Sequence, residues 1–256
     1  MAKLSILSKD DVPEQPYPGR WRSSGVRSAR QLSPDGYSLG LVLADIDAGG
    51  TVAWEGPHGD EGVYVLSGEV DVDGRRCPAG GAVIVESGVD ATMTAVAPTT
   101  VIHCAPATAD PPSEGLYGPP DADGHAVHVV GPGGWFESGQ REGVRATWFA
   151  DATCPTCRIQ LFRVEHPPGF AGNFHSHSQD EIIFVLDGIV SLGPRGYGPG
   201  TALNIPADVT YRVSYPEGAT FVNFRRDASE QTYGRDGPPV LEGAIARGGR
   251  LVEDFR

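Results

Sequence analysis

Apolar residues in this chain come in short runs rather than at helical spacing. Ser38–Ala44 (SLGLVLA) and Arg158–Val164 (RIQLFRV) are apolar-rich with partial alternation. Val63–Leu66 and Ile182–Leu186 are mostly β-branched or aromatic, and each is followed two residues on by a glycine, Gly68 and Gly188. Such runs, closed by glycine, predict strands. The 35 glycines and 22 prolines are spread along most of the chain. That suits many short strands joined by tight turns and argues against long helices. One stretch, Glu242–Arg247, is a candidate turn of helix, weakened by its own glycine and by the Gly-Gly that follows.

The strand pattern occurs twice. Glu61-Gly-Val-Tyr-Val-Leu-Ser-Gly68 matches Glu181-Ile-Ile-Phe-Val-Leu-Asp-Gly188, and both the glutamates and the glycines stand 120 positions apart. Gly80 and Ala82 match Gly200 and Ala202 at the same offset, and Gly49 matches Gly169. No gap is needed from about Leu41 to about His103. Two copies of one unit are therefore expected. The segment 106–124 is rich in Pro, Gly and Asp and reads as a linker. The expected organisation is a first barrel over 1–105, the linker, and a second barrel over 125–256.

Composition narrows the function. The 256 residues carry 20 Lys+Arg against 33 Asp+Glu, a net charge of −13. An acidic chain repels phosphate backbones, so nucleic acid is not an expected partner. Met1–Pro13 is charged and lacks a long apolar run. It reads as neither a signal peptide nor a membrane span, and a cytoplasmic location is the expectation. Four cysteines are too few for a disulfide scaffold of this size. Cys154-Pro-Thr-Cys157 is a single CxxC with no second ligand pair near it in sequence, so it reads first as a loop and second as a redox or metal element.

One constellation in the second copy carries chemistry. In Gly169-Phe-Ala-Gly-Asn-Phe-His175-Ser-His177, the two histidines are two residues apart, so on a strand they face the same side. A short turn returns Glu181 on the next strand. Two imidazoles and one carboxylate with open positions suit a divalent transition metal.

The spacing Gly169, five residues, His175-x-His177, three residues, Glu181, six residues, Gly188 resembles the first signature of the cupin superfamily. Gly200-Thr-Ala-Leu-Asn-Ile-Pro206 resembles the start of the second. The resemblance covers most of both copies. It implies an all-β protein of two tandem cupin (jelly-roll) barrels, a bicupin, with a site inside the barrel and Fe, Mn, Ni, Zn or Cu as the metal. The family's usual fourth ligand is a His five residues after that proline; here Tyr211 stands there. That leaves three protein ligands, similar to a 2-His-1-carboxylate triad, or a weak or empty site. Tyr211 then either ligates as a phenolate or donates a hydrogen bond to substrate.

The first copy is degraded. Glu55, Pro57 and Ala91 stand where the second has His175, His177 and Tyr211, and only Glu61 keeps its ligand type. A rebuilt site from Glu55, His58, Glu61 and His103 is the alternative to a structural first barrel. Asn223 and Arg225 share a face of the last strand of barrel two. An inward Arg225 would clamp a carboxylate, whereas a rim position is the simpler expectation. Trp21, Trp54, Trp135 and Trp148 read as core or interface.

The functional expectation is a metal-dependent enzyme of dioxygenase-like or other small-metabolite chemistry. His175, His177 and Glu181 hold the metal, while Tyr211 and Asn223 orient substrate or move a proton. Two-cupin relatives include dioxygenases, decarboxylases and aminohydrolases. The compact length is similar to the ureidoglycine aminohydrolases, without a match at their site residues. The alternative is a non-catalytic small-molecule binder or sensor; a storage or structural bicupin is a third reading, which the retained ligands oppose. A homodimer is expected through open sheet edges.

Overall fold

The computed structural model describes residues 3–109, 116–141, 143–244 and 250–251. The first half contributes β1 (Ser5–Ser8), β2 (Arg22–Gln31), β3 (Leu39–Trp54), β4 (Glu61–Ser67), β5 (Glu69–Val72), β6 (Arg75–Pro78), β7 (Ala82–Val85), β8 (Ala91–Ala95) and β9 (Thr99–Pro106). The second contributes β10 (Val127–Val130), β11 (Phe136–Arg141), β12 (Val144–Ala150), β13 (Gln160–His166), β14 (Phe170–Ala171), β15 (His175–His177), β16 (Glu181–Gly188) and β17 (Val190–Leu192). It continues with β18 (Arg195–Tyr197), β19 (Thr201–Ile205), β20 (Val213–Tyr215), β21 (Ala219–Arg225), β22 (Ser229–Tyr233), β23 (Pro239–Glu242) and β24 (Arg250–Leu251). The described residues contain strands and no helix. Glu242 ends a strand instead of opening a helical turn, and residues 245–247 of that candidate lie outside the described residues.

The repeat is structural. In the first half β4 lies between β7 and β9, and in the second β16 lies between β19 and β21. The registers agree residue for residue: Val63 pairs with His103 as Ile183 pairs with Asn223, and Glu61 with Val85 as Glu181 with Ile205. The hairpin β5–β6 with β8 corresponds to β17–β18 with β20. Apolar positions of each half pack inward as a core of its own: Val63, Val85, Trp54 and Met93 in one, Ile183, Ile205, Phe162 and Val213 in the other.

Gly68 and Gly188 end their strands with positive φ, 80° and 71°. A Cβ at Gly188 would stand 2.2 Å from the Gly218 carbonyl oxygen, and one at Gly68 would stand 2.4 Å from Thr99 Oγ1. Both the backbone angle and the close approach demand glycine, which is why it recurs at this place in each copy.

The halves are interlocked. β1, at the start of the chain, pairs with β19 of the second half, and β10, after the linker, pairs with β7 of the first. Each half thus covers one edge of the other's sheet, and β1 and β10 become the outer strands there. Between the sheets lies a third apolar cluster drawn from both halves, including Leu41, Tyr64, Ile102, Phe149, Leu161 and Phe184. Two aspartates fasten its margin symmetrically. Asp60 accepts from Ser87 N (2.8 Å) and Arg158 N (2.7 Å), and Asp180 accepts from Ala207 N (2.7 Å) and from Ser38 Oγ. Arg158 and Ser38 are equivalent positions in opposite halves, 120 apart.

Halves expressed separately as 1–115 and 116–256 should each expose the shared apolar face and lack a sheet edge. The expected outcome is aggregation of each alone and a soluble 1:1 complex on co-expression, read by size-exclusion chromatography. Two soluble, folded, non-associating fragments would contradict the interlock.

Candidate functional site

In barrel two, β15 presents His175 and His177 to the interior, and β16 begins with Glu181 beside them. β21 adds Asn223 and Arg225, and the loop ahead of β20 adds Tyr211, whose backbone bridges to His175. β23 ends with Glu242. These residues line one wall of a cavity of about 100 Å³ whose other wall includes Val144, Phe162, Ile183, Val213 and Phe221. All the polar groups named are buried.

Glu181 is the hub. Oε2 accepts from Asn223 Nδ2 and from Arg225 NH2, both at 2.8 Å, and Oε1 accepts from the Tyr211 hydroxyl. His177 Nε2 lies 3.6 Å from Oε1 and 3.1 Å from the Tyr211 hydroxyl. Its Nδ1 is 2.6 Å from Glu242 Oε2, which also meets Arg225 NH1 at 2.7 Å. His175 Nδ1 is tied to the Asn173 carbonyl at 2.8 Å, which leaves Nε2 as that ring's available donor atom. Burial alone would raise Glu181; His177, Arg225, Tyr211 and Asn223 outweigh it and hold the carboxyl at about 2. Burial first, then the Glu181 charge, keep the Tyr211 phenol well above its ordinary range, so it is a neutral donor. Burial lowers His175 and favours its neutral, ligand-competent form.

Arg225 is not a rim residue. It is only 2% exposed, because alternation along β21 turns it inward with Asn223 and two carboxylates receive it. Glu242 is the residue that sequence reasoning missed. It lies on the β22–β23 hairpin, beyond the stretch over which the two copies align without a gap, so comparison of the copies does not signal it.

The residue types, two imidazoles and a carboxylate, suit a divalent metal, but their ligand atoms do not all lie within 4.8 Å of one another. Glu181 and Glu242 face both Arg225 and His177. Among the described residues Asn223 Oδ1 and Arg225 Nε are buried without hydrogen-bond partners, an acceptor that suits a cation and a donor that suits an anionic ligand. Three of the four lone-pair directions of Glu181 are engaged, both on Oε2 and one on Oε1, so a metal would share Oε1 with the Tyr211 hydroxyl.

Barrel one is filled instead. Glu61 Oε2 accepts from Trp21 Nε1 (2.8 Å) and Trp54 Nε1 (2.6 Å) and lies 2.8 Å from His103 Nε2. The Tyr17 hydroxyl is 2.6 Å from His103 Nδ1. Burial would raise Glu61, but His103, Arg20 and Trp54 bring it below the ordinary carboxylate range, while burial keeps His103 lowered and neutral. The rebuilt site is thereby overturned. Glu55 is exposed and paired with Arg22, and His58 bonds the carbonyls of Gly59 and Val89. Of the four residues, only Glu61 and His103 meet. Trp21 and Trp54 are core, as expected, and they also act as donors.

No family model and no curated protein matches the chain. Among solved structures it is similar to Bacillus subtilis oxalate decarboxylase. In a structure concerned with that enzyme's Mn(II) centres, the TM-score is 0.62 at 15% identity, over 89% of this chain and 78% of that chain. In one concerned with the substrate binding mode of oxalate decarboxylase, the TM-score is 0.62 at 14% identity, over the same shares. In a third, of the enzyme at pH 4.6, it is 0.61 at 15%, over 89% and 77%. Together with the repeated strand order, this likeness shows an all-β chain that carries the cupin fold as two tandem jelly-roll barrels.

Proposed function

We propose that barrel two is a metal-dependent enzyme site for a small polar metabolite. The carrying observation is that His175, His177 and Glu181 line one buried cavity; their ligand atoms do not all lie within 4.8 Å of one another, so an ion would have to draw them together. His175 and His177 through Nε2 and Glu181 through Oε1 would hold the ion; manganese(II), which the structurally similar oxalate decarboxylase holds, is one candidate beside Fe, Ni and Zn. A bound metal would supply a Lewis acid at the cavity. Arg225 keeps Glu181 ionised and aimed. Asn223 Oδ1 and Arg225 Nε offer an acceptor and a donor to orient a ligand, and the neutral Tyr211 hydroxyl is a further hydrogen-bond donor at the cavity. The cavity, of about 100 Å³, suits a small molecule.

The engagement of Glu181 by Tyr211, Asn223 and Arg225, with the ligand atoms of His175, His177 and Glu181 not all within 4.8 Å of one another, favours a second reading, a metal-free small-molecule binder. Elemental analysis separates the two. His175→Ala with His177→Ala should lower divalent metal by one equivalent per chain, while Glu61→Ala should not. Occupancy should also fall in acid as His175, which burial holds below the ordinary imidazole range, protonates. Unchanged metal content in the double variant would remove the enzyme reading and leave the binder.

A further inference from the structure

A second cluster of metal-ligating atoms lies away from this cavity, where the two halves meet. Glu86 follows β7 of the first half, and Cys154 and Cys157 lie on the loop between β12 and β13 of the second. One donor atom from each falls within 4.8 Å of the other two, and among the described residues this is the one such group of three His, Cys, Asp or Glu atoms. Cys154 Sγ is 3.6 Å from Glu86 Oε1. Around tetrahedral zinc, with metal–sulfur bonds near 2.3 Å and metal–oxygen bonds near 2.0–2.2 Å, neighbouring ligand atoms stand roughly 3.3–3.8 Å apart. Glu86 and Cys157 are fully buried and Cys154 is half-buried.

The surroundings are built rather than incidental. His128 Nε2 meets Glu86 Oε1 at 2.7 Å, Thr156 Oγ1 donates to the same oxygen at 3.0 Å, and Ala126 N donates to Oε2 at 3.1 Å. The carboxylate is therefore oriented by three partners, as ligating carboxylates usually are. Arg158 is 5% exposed and donates to the carbonyls of Cys154 (2.5 Å) and Cys157 (2.7 Å). Its Nε and NH2 donate to Gly118 and Pro119 of the linker. One cation thus pins the CxxC loop and sits where two thiolates and a carboxylate around a divalent ion would leave one surplus negative charge.

We propose that Glu86, Cys154 and Cys157 form a structural site for a thiophilic divalent metal, zinc by ligand type, with His128 orienting the carboxylate. The metal would tie the CxxC loop of the second half to the first.

The test uses the reduced, full-length, metal-stripped protein titrated with cobalt(II). Cysteine ligation gives a thiolate-to-cobalt charge-transfer absorbance in the near ultraviolet, which nitrogen and oxygen ligands do not. The wild type should develop this band and saturate within two added equivalents, the number of sites proposed, and zinc should abolish it. The His175→Ala/His177→Ala variant should keep it, and Cys154→Ser/Cys157→Ser should lack it. Stripping zinc should lower the wild-type melting temperature but not that of the serine variant. The wild-type spectrum stands even if the serine variant does not fold. Absence of the band in reduced wild type, or a band that disappears in the histidine variant, would overturn the proposal. So would isolation of the chain as a metal-free Cys154–Cys157 disulfide.

Discussion

Arg225→Met is expected to destabilise the metal-stripped chain by about 3–5 kcal/mol at neutral pH, the cost of removing one partner from a buried ion pair. That corresponds to a fall in melting temperature on the order of 10 °C for a chain of this size. Arg225 bridges Glu181 and Glu242, both buried, at 2.8 and 2.7 Å. Methionine fills similar space but leaves two carboxylates with no fixed cation between them. The pH dependence gives the mechanism away. In the wild type, Glu181 is held at about 2, below its ordinary value. Its contribution is present above the ordinary carboxylate range, near 4.5, and is lost as pH falls through about 2. Without Arg225 the desolvated carboxyls bind protons more readily folded than unfolded. The deficit of the variant should then shrink as pH falls from 7 towards 4.5. Adding Glu181→Gln and Glu242→Gln to Arg225→Met should recover part of the loss. Denaturant unfolding at both pH values is the measurement; a loss under 1 kcal/mol, or one independent of pH, would show that the guanidinium does not organise this wall.

Glu61→Ala should cost a comparable amount, about 3–5 kcal/mol, for a different reason. A single carboxylate oxygen is the common partner of Trp21 Nε1, Trp54 Nε1 and His103 Nε2. Alanine leaves these buried donors without their acceptor, at about 1–3 kcal/mol for each one left unsatisfied, and opens a void among the rings. Glu61→Gln keeps one carbonyl acceptor and should lose less. Acid should weaken the wild-type network, because a carboxyl held below its ordinary range loses its contribution as pH falls. Unfolding free energies of the two variants and the wild type decide this. An alanine variant no less stable than the glutamine variant would show that the donors find other partners.

The two cases explain what the repeat could and could not disclose. Glu61 and Glu181 are the same residue at the same register, with the same strand neighbours. From the sequence they differ only in the company they keep: Pro57 and Ala91 against His177 and Tyr211. That comparison separates a barrel with ligands from one without them. It does not say that Trp21, from β2's leading end, reaches across to seal the first barrel, because nothing local marks an indole as a donor to a residue 40 positions away. Likewise Asp60 and Asp180 each precede the glutamate in both copies, a visible recurrence, but their partners Arg158 and Ser38 lie in the opposite half.

Local pattern by itself determined the strands, the duplication, the glycine turns at Gly68 and Gly188, and the shared inward face of His175 and His177. These depend on alternation, chain stiffness and backbone angles, which act over a few residues. Only the tertiary structure decided which strands cross between halves, that Arg225 is buried between Glu181 and Glu242, and that Cys154 and Cys157 meet Glu86. Each of these joins groups tens of residues apart through charge or hydrogen bonding in a dry interior. There the partner is selected by burial and geometry, which a linear pattern does not encode.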